Sequence, residues 1–398
     1  MASTFNSQSE QENTKIPLEA ERVKTSLEAL PKSFGDFLRT AVILPKAKLL
    51  EILAGFQGLP VAVIGDLMLD AYTKGQVLRI SPEAPVPILN YKGTEYRLGG
   101  AGNVLMNLKR LGLNPYIYSV IGNDNEGAII KDLLAQQNID TQGLIAFKDR
   151  HTTLKTRIVA QNQQLIRIDR EHTTPLDLTI SHQFIERLTP LVGTLKGVLF
   201  SDYAKGIFSK ETFNALIKWT QSNNLYTALD PKNPHFSFYN NLSVMTPNFK
   251  EATRSLYDTG ESIVPSLTYF KYSTDHFTAL YRLGRELIKR HNLERLIITL
   301  GEYGMALFDK DETFHHLPTF CRTVNDVSGA GDTVIAVYLA SYLASGDFIK
   351  AAVLANLAAG YVVSEFMTFA LSKTELDLEI NRRSSNGTLS LPVYAKLC

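Results

Sequence analysis

The run Leu59-Pro60-Val61-Ala62-Val63-Ile64-Gly65 is apolar, rich in β-branched residues and closed by a glycine. A strand wetted on one face alternates polar with apolar side chains, whereas a strand of a parallel sheet, covered on both faces, reads as a continuous apolar run. Similar runs recur at Pro115–Ile121, Gly197–Phe200, Leu225–Leu229, Leu242–Met245 and Arg295–Thr299. Between several of them lie amphipathic helical segments, among them Asn103–Leu111 and Glu211–Gln221. Strands alternating with helices predict an α/β fold: a doubly wound, mostly parallel sheet with helices on both faces.

Two stretches break that rhythm. Tyr72–Leu98 and Thr152–Asp169 alternate β-type residues with little helical pattern, and Leu154–Ile158 and Gln164–Ile168 read as antiparallel partners around a turn near Asn162. Insertions leaving the ends of early strands lie where open α/β sheets bind ligands, so these strands, within about 72–98 and 152–169, predict a small β lid. Their exposed edges invite pairing with a second copy, which predicts a homodimer joined through the lids. Residues 1–45 read as a polar extension with weak structure of its own, 46–398 as one domain, and Tyr257–Tyr272 as a surface insertion.

Composition removes several function classes. Lys and Arg number 41 against 40 Asp and Glu, so the chain lacks the overall basic character of a general nucleic-acid binder. Two cysteines, Cys321 and Cys398, cannot build a disulfide framework or a four-cysteine zinc site. The N-terminus shows no basic start followed by an apolar stretch, and no apolar run approaches the roughly 18 residues of a membrane span. The expected setting is the cytoplasm, with no membrane partner.

Chemistry concentrates in Asn325-Asp326-Val327-Ser328-Gly329-Ala330-Gly331-Asp332-Thr333, followed by an apolar-faced helical pattern. A small-residue turn that opens a helix offers free N–H groups and the positive end of the dipole, which together bind anions. Asp332 would sit in the first turn, where a carboxylate can take the proton of an attacking hydroxyl. A plain capped helix begins in the same way. No GxxxxGKS/T occurs, and neither Gly99-Gly100-Ala101-Gly102 nor Gly329-Ala330-Gly331 completes GxGxxG. In Asn248-Phe249-Lys250-Glu251 the outer two residues share one helical face, fit either to hold the water shell of magnesium or to form a capping box. Lys232 follows another strand and offers a cation to phosphates. Thr299-Leu300-Gly301-Glu302-Tyr303-Gly304 gives a second glycine-rich turn.

In chain order, Gly99-Gly100-Ala101-Gly102-Asn103, then Asn248 to Glu251, then Thr299 to Gly304, then Gly329 to Asp332, these motifs resemble the ribokinase/PfkB family of carbohydrate kinases over roughly residues 58–380. The resemblance implies a ribokinase-like fold that moves the γ-phosphate of ATP to a sugar hydroxyl with magnesium, and with room for a monovalent cation. It implies Asp332 as base and Gly329, Ala330 and Gly331 as the anion hole. Asn248 and Glu251 would organise magnesium, with Phe249, Lys250 and Lys232 beside the nucleotide phosphates. Thr299, Gly301, Gly304 and Asn356 would border the nucleotide; Asp66, Asp70, Gly99, Gly100 and Asn103 would hold the sugar.

Longer strings narrow the resemblance: Gly65-Asp66-Leu67-Met68-Leu69-Asp70, Arg79 to Pro87, Asn162 to Arg167, and Ser201-Asp202-Tyr203-Ala204-Lys205-Gly206. They look like the kinases of this family that phosphorylate D-glycero-β-D-manno-heptose 7-phosphate at O1 in ADP-heptose synthesis. Such a substrate needs cations for its existing phosphate, and Lys155, Arg157, Arg167 and Lys205 are the candidates. Ser328 stands where these kinases usually have Thr, and Glu365 to Ala370 departs from a more Gly/Thr/Ser-rich stretch. An adenylyltransferase domain often accompanies such kinases; here that step is expected of a separate protein.

Overall fold

The computed structural model describes residues 32–161, 163–257, 270–320, 324–365 and 370–396. Twelve strands form one sheet, in the spatial order Ser33–Phe34, Phe37–Pro45, Thr388–Lys396, Phe314–Leu317, Met305–Asp309, Arg295–Thr299, Val244–Met245, Tyr226–Asp230, Gly197–Ser201, Pro60–Gly65, Asn114–Gly122 and Leu144–Phe147. From Arg295–Thr299 to Leu144–Phe147 all neighbours run parallel, and the other pairs are antiparallel. All six apolar runs read from the sequence as buried strands lie in the parallel part.

Chain order leads outward in both directions from the adjacent strands Pro60–Gly65 and Gly197–Ser201. That is a topological switch point, and the crevice beyond their carboxyl ends is where a sheet of this kind binds ligands. One face of the sheet is covered by the helices Ala101–Arg110, Ala330–Ser345 and Phe348–Val362. The other carries an aromatic-rich core that includes Phe184, Phe200, Phe213 and Phe277. The helix Ala330–Ser345 is buried at every position from Asp332 to Ser341, which explains its apolar residues on all sides.

A separate four-stranded sheet, ordered Pro87–Gly100, Leu67–Ile80, Leu154–Ala160, Gln163–Arg170, is the expected lid, although its first strand begins earlier than Tyr72. Its outermost strand is exposed along its whole length. Leu78, Ile80, Tyr91, Ile166 and Ile168 stand in solvent.

One expectation is corrected. The end of the polar extension, expected to have only weak structure of its own, belongs to the main sheet: Phe37–Pro45 pairs along its whole length with Thr388–Lys396. The physical reason is aromatic burial, with Phe34 stacked on Phe277 and Phe37 packed edge-on against Phe314. Residues 1–31, most of the 257–272 insertion, both cysteines, Asn162 and residues 366–369 lie outside the described residues. No helix among the described residues is long and apolar enough to cross a membrane.

Candidate active site

Two glycine-rich turns from opposite ends of the sequence meet at the switch point. Gly100 has φ +58° and opens the helix Ala101–Arg110; a Cβ there would lie 2.4 Å from the Asp66 carbonyl oxygen. Gly329, with φ +81°, opens Ala330–Ser345 in the left-handed region that glycine tolerates. Around Gly331 the space is open, with nothing within 4 Å of where a Cβ would be. Ala330 N donates to the Val327 carbonyl at 3.3 Å, and the next amides, of Gly331 and Asp332, lie in the helix's first turn, where an anion is favoured.

Asp332 is 6% exposed and both its oxygens are engaged. Asn103 Nδ2 donates to Oδ2 at 2.7 Å, and the Tyr203 hydroxyl donates to Oδ1 at 2.7 Å. Burial pushes the carboxyl up to about 6, while those two donors hold it down. Asn107 joins the two helices by accepting from Thr333 Oγ1 at 3.4 Å; it also accepts from Leu371 N at 3.0 Å and donates to the Asn103 carbonyl at 3.0 Å. Asp70 is likewise buried and takes Arg157 at 2.6 Å. A Cβ on Gly99 would lie 2.7 Å from the Asp70 carboxylate, so glycine is what admits that side chain.

Asn248 and Glu251 form a reciprocal capping box: Asn248 Oδ1 accepts from Glu251 N at 2.9 Å, and Glu251 Oε2 from Asn248 N at 3.1 Å. Lys232 donates to the other Glu251 oxygen at 3.0 Å. Thr299 bridges Asn248 directly, which brings the glycine-rich turn Thr299–Gly304 to Asn248 and Glu251. Gly301 (φ +60°) and Gly304 (φ +89°) form the turn beyond it. Burial, then the charges of Asp332 and Glu251, raise the Asp230 carboxyl well above its ordinary range. Four acidic side chains, Asp202, Asp230, Glu251 and Asp332, thus share one electrostatic neighbourhood.

Other expected residues are placed differently. Asp66 spends its carboxylate on a loop, accepting N–H groups of Tyr203 at 2.9 Å, Lys205 at 3.0 Å and Ile207 at 3.4 Å. Its burial and the nearby Asp202 charge still push it up to about 6. Asn356 is buried and donates to the Pro318 carbonyl, so it braces the wall of the site. Phe249 packs in the core, and Lys250 is exposed. Lys155 and Lys205 converge on one carboxylate, Glu171, at 3.6 and 2.8 Å. Arg167, on the outer lid strand, pairs with Asp169. Sequence reasoning did not single out Tyr203, Asp230, Glu171 or Arg150, whose guanidinium ties the Lys205 carbonyl to those of His172 and Thr174. Tyr203 stood inside a string already noted; Glu171 carried no signal.

The family model for pfkB family carbohydrate kinases matches residues 60–374. The chain belongs to that family. It is thus an ATP-dependent sugar kinase with a ribokinase-like fold. Among curated proteins it is similar to the bifunctional protein HldE of Pelobacter propionicus, 37% identical over 314 residues, covering 79% of this chain and 62% of that protein. It is also similar to HldE of Helicobacter pylori, 35% identical over 322 residues, 81% of this chain and 66% of the relative. The chain therefore spans less than two thirds of the length of these relatives. Solved structures share the fold: Escherichia coli phosphofructokinase-2 in complex with potassium has a TM-score of 0.64 at 17% identity, covering 82% of this chain and 99% of that one. Arabidopsis thaliana ribokinase complexed with ribose and ATP has a TM-score of 0.58 at 16% identity, covering 81% and 99%.

Proposed function

We propose that the chain phosphorylates D-glycero-β-D-manno-heptose 7-phosphate at O1, giving the 1,7-bisphosphate as a precursor of ADP-heptose and lipopolysaccharide core. The observation that carries this reading is the convergence of Lys155 and Lys205 on Glu171 at the root of the lid. A second phosphate, already present on the sugar, would take the place of that carboxylate between two cations. Asp70 neighbours the base and takes Arg157, which in turn neighbours Asp169, a partner of Lys155, and the similarity to HldE proteins supports a heptose phosphate.

In this reading the acceptor hydroxyl lies beside Asp332, which takes its proton as the oxygen bonds to the γ-phosphorus and the bond to ADP breaks. The amides of Gly329 to Asp332 stabilise the charge in transfer. Lys232 steadies the nucleotide phosphates. The residues present fit magnesium: the donors are oxygens only, and the crowded carboxylates around Asp230 leave surplus negative charge. Asn248 and Glu251 would hold the ion through its water shell, since it binds few protein groups directly. When bound, the ion neutralises phosphate charge. The reading further assigns a cytoplasmic enzyme, a homodimer built on the apolar lid residues, and a downstream adenylyl transfer by a separate protein or domain.

The test is a panel of sugars and sugar phosphates offered with ATP and magnesium. Efficient use of heptose 7-phosphate is expected. Turnover of hexose phosphates with none of heptose 7-phosphate would overturn the substrate assignment.

A further inference from the structure

We propose that Tyr203 is a positioning residue for phosphoryl transfer: its hydroxyl, fixed by a loop that Asp66 ties down, orients Asp332 and sets how readily that carboxylate takes a proton. The inference rests on the reading of Asp332 as base.

The geometry is specific. Tyr203 and Asn103 donate to different oxygens of one carboxylate, each at 2.7 Å, which fixes its plane as well as its position. Each oxygen keeps a further lone pair, so the acceptor hydroxyl can still hydrogen-bond there. The loop is not free to swing. Asp66 accepts from the backbone on either side of Ala204, Ala204 holds φ +54°, and Asp202 Oδ1 accepts from Ala204 N at 2.7 Å. On the far side, Asp202 Oδ2 takes the Tyr239 hydroxyl and His235 Nδ1, both at 2.6 Å. The strand end Ser201–Asp202 is thus clamped from three directions, and Tyr203 is carried to Asp332 as a rigid extension of it.

The charged and titratable groups that face Asp332 are Asp70 from the lid root, Asp230 and Lys232 from the neighbouring strand end, and Tyr203 itself. Burial and the Asp332 charge hold the Tyr203 phenol well above its ordinary value, so it stays a donor across the working range. A donor to a carboxylate favours the ionised form. Transfer needs Asp332 ionised, so kcat/KM for the sugar falls as pH drops through the Asp332 value, near 6. Without the Tyr203 hydroxyl that value rises, and the acid limb moves to higher pH.

The experiment measures kcat and KM for heptose 7-phosphate and ATP from pH 5 to 9 in the wild type, Tyr203→Phe and Asp332→Asn. A hydrogen bond to a charged group corresponds to about one pH unit. Tyr203→Phe is expected to move the acid limb up by that amount, lose about fivefold in activity near pH 6 and about tenfold near pH 5, recover toward wild type at pH 8 to 9, and keep its KM for ATP. A 3-fluorotyrosine at 203, a stronger donor of the same shape, is expected to move the limb the other way; it serves even if Tyr203→Phe folds poorly. Acid limbs unmoved in both, with Asp332→Asn inactive, overturn the proposal while leaving the base in place. An active Asp332→Asn removes the base reading itself.

Discussion

The crevice at the switch point and the lid are both assembled from strand ends, yet they are built on opposite terms. At the crevice, the strands Pro60–Gly65 and Gly197–Ser201 are buried almost throughout, and backbone groups fill the space where side chains would go. A Cβ on Gly65 would lie 2.1 Å from the Ser201 carbonyl oxygen. In the lid, the strand Gln163–Arg170 is exposed at every position and is held by one ladder of hydrogen bonds and a chain of ion pairs. The difference separates two tasks. Chemistry needs groups fixed to a fraction of an ångström, which a close-packed interior supplies. Substrate choice needs charged side chains that can exchange one partner for another, which only a partly solvated surface allows.

If that division is right, the largest effect falls at the buried end. Asp332→Asn is expected to cut turnover by about 10² to 10⁴ while nucleotide affinity stays within a few-fold, because it removes the base and leaves the helix amides in place. Rapid-quench turnover and calorimetric ATP titration check both halves. Next comes the lid root: Lys155→Met or Lys205→Met should raise KM for a phosphorylated sugar roughly 10- to 100-fold, the range of a charge-assisted hydrogen bond, with kcat much less affected. A fall in kcat with KM unchanged would place these lysines with the chemistry and erase the contrast. Smallest are the effects on stability and assembly. Gly65→Ala is expected to destabilise the fold by about 1 to 3 kcal/mol in urea melts, since the neighbour it meets is backbone. Ile168→Thr on the lid should stay within about 0.5 kcal/mol and instead weaken the proposed lid-to-lid dimer, read by light scattering across protein concentration.

The fold was largely legible because its signal is repeated. Six apolar strands that alternate with helices leave few other architectures, and the burial of Val61 to Ile64 or Val198 to Phe200 follows from composition alone. The strand Phe37–Pro45 was missed because it borders a polar stretch, and its burial depends on aromatic partners such as Phe277 and Phe314, more than 200 residues away in sequence. Within the site, Asp332, Gly329 and Asn103 announced themselves through glycine turns at helix starts, a local signal. An acidic residue after a strand, such as Asp66, signals a ligand as readily as a loop anchor, and its bonds to the loop at 203–207 carry no local sequence signal. Of the two readings of Asn248 and Glu251, the structure shows the capping box, with Lys232 and Thr299 as their further neighbours. Glu171 had no motif, and its role comes from two lysines that arrive from separate elements.

The claim beneath all of this is that the amides opening the helix Ala330–Ser345 receive the migrating phosphoryl group beside Asp332. A structure of the protein with magnesium, a non-hydrolysable ATP analogue and heptose 7-phosphate tests it most directly. The account predicts the terminal phosphoryl oxygens within hydrogen-bonding reach, about 3 Å, of the N–H groups of residues 329–332, with the acceptor hydroxyl on the Asp332 carboxylate. A nucleotide whose terminal phosphorus lies elsewhere, or a sugar hydroxyl turned away from Asp332, would contradict it.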